Sequence, residues 1–269
     1  MWAVPNPLPR PFAAPAEFLE SAAALGVEFD AGDVELLGLY LALLFDANKA
    51  LNLTAIRDPA EAWRRHILDS LTLLAPLSDL AAGARVIDVG SGGGLPGIPL
   101  AIARPDLHCT LLEATAKKAE FLRLTVIALG LKNVSILADR AERAAHDRGE
   151  KTASGPRVGG HREKYDAAVA RAVGALSVIA ELTCPFVRKG GHVLLIKGER
   201  AEAELAEGAK ALQTLGAVHV DTLQTPTGRI VILEKGAATP RDYPRRDGEP
   251  ARSPLGQEKS SSSKRGRPT

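Results

Sequence analysis

The spacing of apolar positions changes near residue 84, and the change divides the chain into two kinds of element. Upstream, apolar residues recur at helical intervals, with Leu36, Leu37, Tyr40, Leu43 and Leu44 forming one stripe. This pattern predicts helices over 16–25, 33–51 and 59–77. Asp33 is the expected N-cap of the second, and Asp58-Pro59 opens the third, which should stop before Pro76. Downstream, short apolar runs at 85–89, 109–112, 134–137, 165–170 and 192–196 read as strands. Helical stretches at 95–103, 117–129, 175–186 and 201–215 lie between or after them. Such alternation implies right-handed βαβ units and a parallel sheet covered on both faces. Two last runs, 218–223 and 229–235, flank Pro226 and Gly228 and predict a closing hairpin. Residues 146–164 are polar, glycine-rich and charged, and are expected to form a mobile surface insertion without chemistry.

Composition adds limits. The chain has 269 residues, 45% hydrophobic and 25% charged, the balance of a globular protein with a real core. Its longest apolar stretch, 34–45, is interrupted by Glu35 and Gly38 and falls short of the roughly 20 residues of a bilayer span. No transmembrane helix and no secretory signal are expected. Cys109 and Cys184 are too few for a disulfide framework or a four-cysteine zinc site, so a cytoplasmic location and no metal are expected. The net charge of +2 is unevenly spread: residues 239–269 carry 8 Lys/Arg against 4 Asp/Glu, leaving the preceding chain slightly acidic. That tail and the first 16 residues hold 10 of the 18 prolines, and both ends are expected to be mobile or loosely docked. The tail reads either as a solubilising end or as a polyanion contact. The expected organisation is a flexible N-terminus (1–15), a helical region (16–83), a ligand-binding α/β domain (84–237) and a basic tail (238–269).

Chemistry concentrates where the first predicted strand runs into glycines, Asp88-Val-Gly90-Ser-Gly92-Gly93-Gly94-Leu95-Pro96-Gly97. Glycines allow a sharp turn and close approach of a ligand, and the following helix start offers free N–H groups. Glu113 closes the second strand at a distance suited to the two hydroxyls of a ribose. A nicotinamide-binding loop would place its third glycine at 95, where Leu95 stands, and no Lys-Ser/Thr pair follows to make a P-loop. Gly90, Gly92 and Gly94 with an Asp two residues upstream instead resemble S-adenosylmethionine-dependent methyltransferases.

Further motifs occur in one order: Asn52-Leu-Thr54-Ala-Ile, Arg65-His66-Ile-Leu-Asp69-Ser70-Leu, the glycine loop, Leu111-Leu-Glu113-Ala-Thr115-Ala-Lys117-Lys118, Val169-Ala-Arg171-Ala and Thr239-Pro-Arg-Asp-Tyr-Pro-Arg-Arg. Together they resemble the RsmG/GidB family of small-subunit (16S) ribosomal RNA guanine-N7 methyltransferases over roughly 35–255. The resemblance implies a Rossmann-like class I methyltransferase fold, α/β, with a mostly parallel seven-stranded sheet, helices on both faces and an N-terminal helical appendage. It implies S-adenosyl-L-methionine as cofactor, bound at Gly90, Gly92, Leu95, Glu113, Ala114, Thr115, Ala141, Glu142 and Arg171. It also implies the decoding-region loop of 16S rRNA in the small ribosomal subunit as substrate.

Guanine N7 carries an in-plane lone pair and no proton, so its methylation needs alignment and no general base. The motif of exocyclic-amine methylation is absent, since Ala170-Arg171-Ala172-Val173 occupies its place. Cys184 reads as a buried thiol before a nucleophile. Arg171 is the main candidate for orientation: it binds the methionine carboxylate, or orients the target base, or is a surface ion pair. His66 and Asp69 divide between lining the target pocket and a structural pair, and Asn52 and Thr54 between turn chemistry and substrate contact. Lys197 reads as a phosphate contact or a strand-end charge. With aromatics at only 4% and a slightly acidic body, recognition of a shaped, protein-bearing ribosomal substrate is expected over tight binding of naked RNA. The alternatives are an S-adenosylmethionine-dependent methyltransferase of a small molecule or protein, and a non-catalytic nucleotide-binding module.

Overall fold

The computed structural model describes residues 2–151, 157–171 and 174–256. The Ser-rich end of the predicted tail, the centre of the predicted insertion and Ala172-Val173 lie outside them. Among the described residues the strands are β1 (Arg85–Val89), β2 (His108–Leu112), β3 (Val134–Leu137), β4 (Glu150–Lys151), β5 (Arg157–Val158), β6 (Tyr165–Arg171), β7 (Val187–Lys197), β8 (Ala217–Thr225) and β9 (Gly228–Lys235). Seven of them form one sheet in the order β3-β2-β1-β6-β7-β9-β8, while β4 and β5 pair as a small ribbon. The first five strands of the large sheet run parallel, and the closing β8–β9 hairpin is antiparallel. The order reverses at β1, so a crevice opens beyond its carboxyl end.

Strand residues alternate between two buried faces. Ile87, Val89, Ala168, Ala170, Val193 and Leu195 pack on one side with α7 (Ala141–Ala144), α8 (Leu176–Thr183) and α9 (Ala201–Leu215). Val86, Ala167, Val169, Leu194 and Ile196 face the other side, toward α5 (Gly97–Ala103). Beyond α5 and α6 (Ala116–Ala128) lies a further helical layer, α1 (Ala16–Ala24) and α2 (Asp33–Leu51), whose apolar stripe packs on Leu95, Ile98, Phe121 and Leu122. Among the described residues no helix is long and apolar enough to cross a membrane.

Four expectations need correction. Asp33 is not the cap of α2: Gly32 (φ 97°) holds that place, and the Asp33 carboxylate turns back to accept the Asp30 N–H at 3.0 Å. The third helix is not continuous. After α3 (Pro59–Ala62), capped by Asp58 on Glu61 N, it widens into a π-helical segment at Trp63–Leu68 before α4 (Asp69–Leu71) and a 3-10 turn at Ala75–Leu77. The N-terminus is docked, with Trp2 edge-on to Phe121 and bonded to Asp46, and Phe12 N–H on Gly38 O.

Nor are the end of the insertion and the start of the tail loose. Arg162, 5% exposed, donates to the carbonyls of Ala145, Thr239, Pro240 and Tyr243. Glu163 accepts from Thr239 N and from the buried Lys235 ammonium. Arg245 donates to the fully buried Glu181, and the strap ends in α10 (Glu249–Arg252).

Candidate active site

The loops after β1, β2, β3, β6 and β7 leave the carboxyl edge of the sheet, and the β8–β9 turn lies at the same edge. Beyond β1 the backbone turns through Gly90 (φ 79°), Gly92 (φ 55°) and Gly94 (φ 96°), conformations that side chains with a Cβ rarely adopt. The N–H groups of Gly90 and Ser91 bond to Leu112 O, which draws the loop over the end of β2. A Cβ on Gly97 would lie 2.2 Å from Leu111, so glycine there permits close packing of α5 on the strands. On Gly92 a Cβ would meet nothing nearer than Gly90 O at 3.8 Å, so that side of the loop is open.

Two carboxylates frame this opening. Glu113, 7% exposed, accepts the N–H of Gly92 at 3.0 Å and that of Thr115 at 2.7 Å, locking the first loop to the second. Asp88, 2% exposed, accepts Gly97 N–H through Oδ2, while Oδ1 is buried with no hydrogen-bond partner among the described residues. Burial pushes the Asp88 carboxyl up to about 7, against the pull of its hydrogen bonds and of Arg171. Gly90, Ala114 and Thr115 are exposed at this edge, whereas Leu95 is buried beneath it.

The helical layer holds the loop from behind. Tyr40, fully buried, donates its hydroxyl to Gly93 O at 2.8 Å, and Leu44 crowds the same glycine. One turn further along α2, Asn48 accepts the N–H groups of Leu53 and Thr54 and donates to Thr54 O, shaping the chain after the left-handed Asn52 (φ 51°). Thr54 Oγ1 lies 2.8 Å from His66 Nε2. Burial, with the charge of Arg171, pushes His66 down to about 4. The imidazole is neutral, and its neighbours assign Nδ1 as acceptor from Arg171 Nη2 (3.3 Å) and Nε2–H as donor to Thr54. Its place in the π segment matters, because such a bulge turns side chains that regular spacing would not bring together.

Arg171, at the end of β6, donates to Arg65 O at 2.8 Å and to Asp69 Oδ2 at 3.2 Å. Asp69 Oδ1 accepts from Thr227 Oγ1, in the β8–β9 turn, at 2.6 Å. Thr54, Arg65, His66, Asp69, Arg171 and Thr227 border a cavity of about 350 Å³. It opens at the same sheet edge as the glycine loop, since Val169, two residues before Arg171, pairs with Asp88.

Several expected roles are redirected. Arg171 is no surface ion pair, with its side chain 17% exposed, and its guanidinium is bonded to the 65–69 helical segment and not to the glycine loop. Glu142, 6% exposed, turns to the C-terminal strap: against the upward push of burial, Gly248 N–H and Arg140 hold its carboxyl below the usual range. Ala141 packs against the α8–α9 core. Lys197 is spent on Gly174 O and Glu204. Cys184 is fully buried and its thiol is pushed up to about 12, which leaves it inert. Among the described residues no cluster suited to a metal ion occurs.

Tyr40, Asn48 and Thr227 are site-forming residues that sequence reasoning did not single out. Tyr40 is hidden in an apolar stripe, although Asn48 at the next-but-one turn of that stripe is a polar signal.

A family model for GidB, rRNA small subunit methyltransferase G, matches residues 33–231. The ribosomal RNA small subunit methyltransferase G of Sorangium cellulosum is 51% identical over 243 residues, covering 90% of this chain and 97% of that one. That of Rubrobacter xylanophilus is 42% identical over 241 residues, with 86% and 87% covered. Among solved structures, a mutant of MtNAS in complex with S-adenosylmethionine matches with a TM-score of 0.49 at 16% identity, covering 82% of this chain and 89% of that one. The antibiotic-resistance methyltransferase Kmr matches with a TM-score of 0.43 at 16% identity, covering 62% and 93%.

Proposed function

The chain belongs to the GidB family, rRNA small subunit methyltransferase G, and on that premise we propose that it methylates N7 of a guanine in 16S rRNA with S-adenosylmethionine as donor. The observation that carries the reading is the pair of carboxylates at the open glycine loop. Asp88 Oδ1 is a buried carboxyl oxygen with no donor among the described residues, and the ammonium of the cofactor would supply one and favour the ionised form. Glu113 already fixes Gly92 and Thr115 and keeps lone pairs free for ribose hydroxyls. Gly90, Gly92, Ala114 and Thr115 would complete the cradle, and Leu95 would support it from below.

When bound, S-adenosylmethionine supplies an electrophilic methyl group on a sulfonium. The protein's part is alignment. Holding two reactants in attack geometry is worth about 7–11 kcal/mol in well-oriented systems. No side chain need take a proton from N7, and the neutral, fully engaged His66 is consistent with a site that lacks a general base. The cavity beside Arg171 would receive the target base, and the small ribosomal subunit would be the partner, placing the work in the cytoplasm.

Calorimetry with S-adenosylmethionine and NAD tests the cofactor. Cleavage mapping of N7-methylguanine in small-subunit RNA, with the native chain and Arg171→Ala in cells lacking the native gene, tests the reaction. Binding of NAD alone, or a map indifferent to the protein, would overturn the reading.

A further inference from the structure

Among the described residues, the cavity at the sheet edge of the glycine loop is lined by one carboxylate, that of Asp69, which is ion-paired with Arg171, while Arg65 and Lys197 also border it. Both groups are pre-set. Asp69 is fixed by Thr227 on one oxygen and Arg171 on the other, and Arg171 is fixed by Arg65 O and His66. Each keeps unused capacity, since a carboxylate oxygen accepts twice and Arg171 Nε has no hydrogen-bond partner among the described residues. The cavity therefore presents a donor and an acceptor side by side.

Guanine carries the complementary pair on adjacent atoms, an acceptor at O6 and a donor at N1–H. Adenine carries the reverse, an amine donor beside an acceptor nitrogen. We propose that Asp69 and Arg171 select the base: Asp69 accepts the N1–H of guanine and Arg171 donates to O6, which leaves N7 unbonded for attack. The inference rests on the function proposed above.

The arrangement also bears on rate. As N7 takes the methyl group the ring becomes cationic and its N1–H more acidic, so the bond to the Asp69 carboxylate strengthens as the reaction proceeds. An interaction that grows toward the transition state raises turnover and not merely binding. His66, neutral, adds no competing positive charge to the cavity wall.

The test uses the full-length protein and small subunits reconstituted around 16S rRNA in which a ligated synthetic strand supplies the target base. Incorporation of labelled methyl is measured with guanine, inosine and 2,6-diaminopurine at that position. Inosine keeps O6 and N1–H and should react within about tenfold of guanine. Diaminopurine keeps N7 but reverses the pair, and should react roughly 100-fold more slowly, the discrimination typical of a good two-bond contact. Asp69→Asn should lower kcat more than it raises KM and narrow the guanine-to-diaminopurine ratio, with S-adenosylmethionine binding retained as the control for folding. Equal methylation of guanine and diaminopurine by the native protein would overturn the inference and leave the proposed function standing. No methylation of guanine subunits would overturn the function itself, and the inference with it.

Discussion

Replacing Asp88 by asparagine is expected to stabilise the ligand-free protein in alkaline buffer and to lose that advantage in acid. The carboxyl is 2% exposed, with one oxygen on Gly97 N–H and the other without a partner among the described residues, and burial raises it from 3.8 to about 7. Between those values the folded state binds more protons than the unfolded chain. Stability from this group therefore falls as pH climbs from about 4 to about 7, and is level above. A shift of about three units at 1.36 kcal/mol each amounts to a native-state cost of about 4 kcal/mol by pH 8. Asparagine keeps the acceptor for Gly97 and buries an amide donor without a partner, a cost of about 1–3 kcal/mol at every pH. Asp88→Asn should thus gain about 1–3 kcal/mol at pH 8 and show no gain by about pH 4.5. Urea unfolding of both proteins at the two pH values measures this, and titrations common to both cancel in the difference. An asparagine variant destabilised equally at the two pH values would refute the reasoning.

Four further outcomes are expected. Tyr40→Phe leaves Gly93 O buried without a donor and should cost about 1–2 kcal/mol in urea unfolding while weakening S-adenosylmethionine binding severalfold; unchanged values in both would contradict the role given to Tyr40. Glu113→Gln turns an amide toward the N–H of Gly92 or Thr115, and calorimetry should find the cofactor bound about tenfold or more weakly, native affinity being the contrary result. Arg245→Met strands the fully buried Glu181 and should cost about 3–5 kcal/mol, much of it recovered in the Glu181→Met double variant; a mild single variant in thermal melts would argue against the strap as an anchor. His66, lowered to about 4, takes up fewer protons in the native state than unfolded between there and 6.5, so its share of stability is lost as pH falls through that window. Its NMR resonances should titrate below pH 5, and a midpoint near 6.5 would be wrong for this site.

The sheet was readable because strands buried on both faces print as apolar runs, and β1, β3 and α9 match their expected limits to the residue. The glycine loop and Glu113 were readable because the turn demands particular residue types. The π segment at Trp63–Leu68 was not: one extra residue in a turn leaves the apolar spacing nearly intact, and the bulge is held by contacts of His66 and Asp69 with Thr54, Arg171 and Thr227 far along the chain. The strap from Thr239 to Gly256 was misread for a related reason. Charge and proline mark a solvated segment by composition, but Arg245 meets Glu181, 64 residues earlier, in the interior. Glu142 was named only through the family resemblance, and the docked strap reveals what its carboxylate faces.

The bond from Tyr40 to Gly93 joins residues 53 apart, and that from Arg171 to Arg65 joins residues 106 apart. During translation α2 and the 63–71 helical segment accordingly emerge long before the backbone that completes them, and they must wait for it as an open, greasy stub. Arrested nascent chains should resist protease over residues 40–71 only once residue 171 has cleared the exit tunnel, so the exposed interval in making this protein falls between those helices and β6.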